Sequence, residues 1–270
     1  MKTLLAVALA LAALLAPAHA GTFGATPGEV VRAEVLPGWT TKRGTRMAAL
    51  RLTLAPGWKT YWRAPGETGI PPSFDWGASR NLARVTLHWP SPRVFDEGGV
   101  RTIGYKRELV LPIEITPARP GAPVELAAKV ELGVCEHICV PASLAFSATL
   151  SGAGRPDPAI EAALSARPLS AREAGLSGVT CAVDPISDGV RVTARIPSQR
   201  IGGRTVAVIE PGNPRIWASE TETRREGPTL LASADLVPPT GQAMALSRKT
   251  LRVTLLGEGR AIDIQGCPSP

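Results

Sequence analysis

Apolar and polar residues alternate along most of this chain. From 124 to 134, Val124, Leu126, Ala128, Val130, Leu132 and Val134 hold the even positions, and from 140 to 150 Val140, Ala142, Leu144, Phe146, Ala148 and Leu150 do the same. A period of two marks a strand with one buried face, so these side chains are expected to share one core surface. The same pattern predicts strands over 29–36, 46–55, 83–89, 109–116, 124–135 and 139–150. Turn signals separate them: Pro37-Gly38, Pro56-Gly57, Pro71-Pro72, Gly98-Gly99 and Pro120-Gly121. Many short strands at such spacing predict an all-β sandwich.

The pattern breaks at 151–177, where Ser151-Gly152-Ala153-Gly154-Arg155-Pro156 reads as a linker. Asp157 is placed to cap a short helix with Pro158 in its first turn, running to about Arg167. Alternation resumes over 179–184, 189–196, 204–210, 214–218, 229–236, 250–256 and 260–265, with Pro238-Pro239 and Gly257-Glu258-Gly259 between segments. The expected organisation is a signal peptide at 1–20, a β-sandwich domain at 21–150, a linker with a short helix at 151–177, and a second, smaller β-sandwich-like domain at 178–270.

The signal reading rests on Lys2, an apolar core from Leu4 to Leu15, and Ala18-His19-Ala20 as a small-x-small cleavage pattern. That core is too short to span a bilayer, and no later run reaches the roughly 20 apolar residues of a membrane helix. The mature chain is therefore expected to be exported, periplasmic and not inserted in a membrane. The formal net charge of +7 is scattered as single basic residues, without the Lys/Arg run or basic helix that tracks phosphates. Nucleic-acid binding is not expected.

Export gives the four cysteines their meaning. Cys135, Cys139, Cys181 and Cys267 all lie beyond the signal, and an even number in an oxidising compartment suggests two pairs among three connectivities. Cys135 and Cys139 flank Glu136-His137-Ile138. In a straight strand, residues four apart lie roughly 13 Å from each other. A disulfide needs Cα atoms within about 7 Å. A three-residue hairpin loop sets the two opposite each other on adjacent strands. Both positions are odd, so parity places them away from the core, beside Lys129, Glu131, Ser143 and Ser147. Closing so short a loop removes little unfolded-state entropy. An outward pair with a neighbouring His137 fits exchange chemistry, which needs a thiolate and access.

His137 lies between two soft ligands, but His88 is the only other histidine of the mature chain, and zinc lacks donors for a four-ligand site. No resident metal or cofactor is expected; a two-thiolate Cu(I) site stays open. Cys181 and Cys267 stand at the two ends of the second β pattern, where a structural disulfide would tie them, with a second redox pair as the alternative.

Several motifs resemble a known family. They are Pro56-Gly57-Trp58-Lys59-Thr60-Tyr61-Trp62, Ile70-Pro71-Pro72, Trp89-Pro90, Phe95-Asp96-Glu97 through Tyr105, Leu109-Val110-Leu111-Pro112, and Cys135 to Pro141. Over about 25–150 the chain resembles the N-terminal periplasmic domain of the disulfide reductase DsbD, and especially of the related copper-sensitivity suppressor ScsB. The second domain looks like the extra β domain of ScsB-type proteins. The resemblance implies an immunoglobulin-like sandwich whose redox-active cysteines, Cys135 and Cys139, lie under a cap loop that opens for a partner. It matches Asp96 and Glu97 to the acidic cap-loop residues and Tyr61 to an aromatic near the pair. The cysteine interval is shorter than in DsbD itself, and Gly98-Gly99 stand where the cap would carry aromatics, leaving Phe95 or a nearby Trp to substitute.

The function implied is thiol–disulfide exchange. Reducing equivalents would pass from a membrane-embedded or thioredoxin-like donor to periplasmic disulfide proteins. The sequence carries neither the membrane domain nor the thioredoxin-like domain that accompany this module in the family, so a relay is expected to draw both from other proteins. The alternatives are a Cu(I)-binding protein of copper tolerance and a non-catalytic interaction module.

Overall fold

The computed structural model describes residues 27–66, 68–197, 205–257 and 260–270. The expected signal segment 1–20 lies outside the described residues, as do Arg204, Glu258 and Gly259. A helical turn, α1 (Pro27–Val30), leads into ten strands: β1 (Val31–Thr40), β2 (Arg46–Leu54), β3 (Lys59–Tyr61), β4 (Ser73–Asp75), β5 (Leu82–Leu87), β6 (Arg93–Glu97), β7 (Val100–Lys106), β8 (Glu108–Pro117), β9 (Val124–Cys135) and β10 (Cys139–Leu150). One sheet runs β1-β2-β8-β5 and the other β10-β9-β3-β7-β6, with β4 also pairing β9. Between them lie Leu50 and Leu52 of β2, Leu111 and Ile113 of β8, Trp62, Ile103 of β7, and the even residues of β9. Alternation along β9 thus sets which face meets the opposite sheet.

The opposite face of the first sheet is covered as well. Helix α2 (Pro158–Ser165) is capped by Asp157, whose side chain accepts from the backbone N–H groups of Ala159 at 2.8 Å and Ile160 at 3.3 Å. Its Ile160 packs with Leu36, Met47 and Ala49. The expected linker segment therefore carries a helix docked on the first sandwich. Its capping chemistry is local, but the apolar patch it covers belongs to β1 and β2.

Beyond it run β11 (Leu169–Ser170), β12 (Thr180–Pro185), β13 (Val190–Pro197), β14 (Val206–Glu210), β15 (Trp217–Ala218), β16 (Glu222–Glu226), β17 (Thr229–Val237), β18 (Arg252–Gly257) and β19 (Arg260–Gln265). They form sheets β11-β19-β18-β14 and β12-β13-β17-β15, with β16 against β17. Val192, Ile196, Leu236, Val253, Leu255, Ile262 and Ile264 fill the space between, together with the sulfur-bonded Cys181 and Cys267. The architecture is all-β: an immunoglobulin-like sandwich followed by a second, smaller one. Val206, Leu256 and Ala261 of the second sandwich join the apolar cluster of the first, and Arg63 donates twice to Glu210, at 2.9 Å each, across the junction. Among the described residues no helix is long and apolar enough to cross a membrane.

Periodicity did not predict β3, β4, β6, β7, β11 or β16. β3 and β4 are three residues each, too short to display a period. β6 and β7 form a ribbon turning at Gly98-Gly99, both with positive φ, and charged residues interrupt its apolar positions. These missed strands carry much of the site described next.

Candidate functional site

The hairpin between β9 and β10 turns on Glu136-His137-Ile138. Its register sets Cys135 directly opposite Cys139, the two are joined, and their Cα atoms lie 4.1 Å apart. The two sulfurs have unlike surroundings. Cys139 is exposed, whereas Cys135 is only 6 % exposed. The parity argument set both on the open face. The odd face of β9 is indeed open at Glu125, Lys129 and Glu131, but it is closed at Gly133 and Cys135.

The closure comes from β3 and the loop after it. Lys59 pairs with Cys135 and Thr60 with Val134, and the Thr60 hydroxyl donates to the Gly133 carbonyl at 2.9 Å. Tyr61 then lies over Gly133 together with Ile70, and a Cβ at Gly133 would collide with both. Glycine lets the aromatic ring sit against the strand backbone. The Tyr61 hydroxyl reaches Cys139 Sγ at 3.0 Å. A disulfide sulfur carries no hydrogen, so the hydroxyl donates. Burial first, and the negative charge of Glu97 second, push the Tyr61 phenol above its ordinary value, which keeps that proton in place.

Alternation puts Lys59 on the same face as Tyr61, where it is 5 % exposed. Its ammonium donates to Glu97 at 2.7 Å and to Thr102 at 3.3 Å. Two cations lie over the Phe95 ring, Lys59 at 5.3 Å and Lys106 at 4.9 Å from its centre. The Lys59 hydrogen bond, aided by the charges of Lys59 and Lys106 and opposed by burial, holds the Glu97 carboxyl below the usual glutamate range. Because the folded value is lowered, this pair supports the fold above the ordinary glutamate pKa. Its support disappears as the pH falls through the lowered value.

Strand parity also separates Asp96 from Glu97. Asp96 accepts from Arg101 at 3.2 Å, and Arg101 continues to Glu220 of the second sandwich. The structure therefore brings Glu97, Tyr61 and Phe95 into the layer that holds the cysteine pair, but turns Asp96 to the far side of the ribbon. The two adjacent acids therefore have different partners. His137 is exposed in the turn itself. His88 lies elsewhere, 3.0 Å from Glu114. Among the described residues no three His, Cys, Asp or Glu side chains gather as a metal-sized cluster.

Sequence reasoning missed Lys59, Gly133, Ile70 and Ile138 as parts of this site. Ile138, at the tip of the turn, is 75 % exposed, and Ile70, which lies over Gly133 with Tyr61, is also exposed. A large apolar residue between two cysteines in a three-residue loop is the one signal that was present in the sequence.

The loop from Arg63 to Pro72 has a second face. Arg63, Pro65, Pro71 and Arg101 line a cleft of about 970 Å³ against Glu210, Pro214 and Trp217 of the second sandwich.

Removing the Tyr61 hydroxyl tests its link to sulfur. Tyr61→Phe keeps the ring over Gly133 and deletes one donor. In a Cys135→Ser background, the pH midpoint for alkylation of Cys139 is expected to rise by about one unit, the size of one lost hydrogen bond to a charged group. An unchanged midpoint would mean that the hydroxyl does not support the thiolate.

Residues 31–151 match the family model described as thiol:disulfide interchange protein DsbD, N-terminal. Among solved structures, the chain is similar to the N-terminal periplasmic domain of ScsB from Proteus mirabilis. The identity is 23 %, with 89 % of this chain and 93 % of that chain covered and a TM-score of 0.64. A search of the curated proteins finds no match.

Proposed function

We propose, taking the match of residues 31–151 to the DsbD N-terminal family as premise, that this protein performs thiol–disulfide exchange through Cys135 and Cys139. The observation that carries the reading is the one-sided exposure of the pair: Cys139 is open at the turn and Cys135 is covered. Access decides which sulfur is attacked.

A partner thiolate attacks Cys139 Sγ. The Cys135–Cys139 bond breaks, and its electron pair leaves on Cys135 Sγ as a thiolate. The partner is now joined to Cys139. A second thiolate of the partner attacks the partner's own sulfur in that mixed disulfide and closes the partner's disulfide. Cys139 is released as a thiolate. The pair has gained two electrons and the partner has lost two. The reverse sequence passes them to a substrate disulfide, again through Cys139. Ile138 and Ile70 offer apolar contacts beside the pair for a docking partner. The expected donor is a membrane-embedded or thioredoxin-like dithiol, the acceptors are periplasmic disulfide proteins, and the site of action is the periplasm.

The test equilibrates the whole protein in dithiol and glutathione buffers and reads each cysteine pair by alkylation and mass. The Cys135–Cys139 potential is expected above about −300 mV, within the range of exchange-active pairs. It should also exchange with a reduced thioredoxin-like domain. A potential far below that range, with no exchange, would leave an inert interaction module instead. Stoichiometric Cu(I) binding by the reduced pair, without exchange, would favour the copper reading.

A further inference from the structure

Among the described charged side chains around the cysteine pair, Lys59 is the buried one, and the exchange scheme above gives it no task. A lysine in that position carries a desolvation cost that one ion pair offsets only in part. Its place in the sheet suggests why it is there. Lys59 is the direct cross-strand partner of Cys135. Directly paired residues have Cβ atoms about 4.5–5.5 Å apart. Lys59 also shares a face with Tyr61, whose hydroxyl touches Cys139. The four-carbon stem is flexible, and its ammonium now leans toward β6 and β7, where Glu97 and Thr102 hold it.

We propose that Lys59 is a positioning residue of the exchange: Glu97 holds its ammonium while the disulfide is intact, and the ammonium turns to Cys135 when that sulfur becomes the leaving thiolate. This inference rests on the exchange reading above. When Cys139 is attacked, Cys135 receives the electron pair under cover of β3 and Tyr61. A thiolate there is poorly hydrated, and a neighbouring cation is the physical means of holding it.

Other charged and titratable groups border the same face. Glu97 and Arg93 come from β6, Lys106 from β7, Tyr61 from β3, Glu131 from farther along β9, and Glu136 and His137 from the turn. Glu136 lies against Gly57. Lys106 donates to Glu97 at 3.5 Å, so Glu97 keeps a cation when Lys59 leaves. The two lysines and one carboxylate thus form a set in which the charge can move without leaving an anion bare.

The experiment uses the full-length chain with Cys139→Ser, which leaves Cys135 as the single titrating thiol while Cys181 and Cys267 stay bonded. The thiolate is followed by its ultraviolet absorbance as a function of pH. Lys59→Met is expected to raise the Cys135 midpoint by about one pH unit or more, the effect of losing a nearby opposite charge. Lys59→Arg should restore it. Glu97→Gln should lower it, because it removes both a nearby negative charge and the competitor for Lys59. A Lys59 with only a packing role would not give shifts of opposite sign. An unchanged midpoint in folded Lys59→Met overturns the inference. If Lys59→Met does not fold, Glu97→Gln decides: a fall supports the proposal, and no change or a rise overturns it. Exchange by the unmodified protein is measured in parallel. Normal exchange with a midpoint insensitive to Lys59 defeats this inference alone, whereas no exchange defeats the function and this inference together.

Discussion

Alanine at Cys135 is expected to leave a protein whose Cys139 thiolate attacks an activated partner disulfide, expels its leaving thiolate and stays joined to the partner as a lasting mixed disulfide, whereas alanine at Cys139 is expected to capture almost none. Both variants keep one thiol, so sulfur content does not separate them. Cover does. In Cys135→Ala the remaining Cys139 sits at an open turn beside Ile138, and the resolving thiol is gone. In Cys139→Ala the remaining Cys135 lies under the β3 pairing and close to the Tyr61–Ile70 cover. Lifting one large apolar side chain into water costs roughly 1.5–3 kcal/mol. That alone slows capture about tenfold to a hundredfold. The measurement incubates each variant with an aromatic mixed disulfide, either small or carried on a single-cysteine thioredoxin-like domain, and reads the adduct by mass as the aromatic thiolate leaves. Equal capture rates would show that the cover over Cys135 is no barrier, and the assignment of Cys139 as the attacked sulfur would fall.

The second large effect is expected at the other pair. Cys181 and Cys267 are fully buried and 86 residues apart in sequence. Backbone bonds seat both ends: the Cys181 N–H donates to the Pro268 carbonyl at 2.7 Å, and the Cys267 N–H to the Arg248 carbonyl at 2.9 Å. Closing a loop of this length removes unfolded-state entropy equal to about 4–5 kcal/mol as an upper figure. The same relation gives the Cys135–Cys139 turn about half as much. Against a typical domain stability of about 5–15 kcal/mol, the longer bridge is a large share. The Cys181→Ala, Cys267→Ala double variant should lose about 4 kcal/mol in urea unfolding while its Cys135–Cys139 pair still exchanges under native conditions. A loss below about 1 kcal/mol would remove the stapling role. Mild reductant should open the first pair long before the second, because the buried sulfurs offer no path for attack.

These contrasts also mark how far the residue pattern reached. The alternation at 124–135 and 139–150 coincides with β9 and β10, end for end. Those runs are long, each buries one face, and three residues between them suffice for a hairpin. The helix start at Asp157-Pro158 was legible for a similar reason, since a cap and a first-turn proline act locally. Cys135 shows where local reading stopped. Parity placed it on the odd face of its strand, and it is on that face, but the face is closed there. What the pattern could not contain was β3 paired along its edge and Tyr61 folded over Gly133. Asp96 and Glu97 show the same limit: adjacent in sequence, they were read as one acidic pair, and β6 sends them to opposite sides.

The sequence by itself determined the all-β class, the long paired strands, the hairpin that brings Cys135 to Cys139, and the chemistry available there. Each depends on neighbours within a few residues, where backbone geometry and side-chain period act directly. The tertiary structure decided which of the two sulfurs faces water, that a buried lysine stands opposite one of them, and which acid reaches that lysine. Those outcomes require segments as distant as Lys59, Glu97 and Cys135 to meet across a sheet. Only the closing of the whole sandwich brings such segments together, because no local preference encodes what will cover a strand.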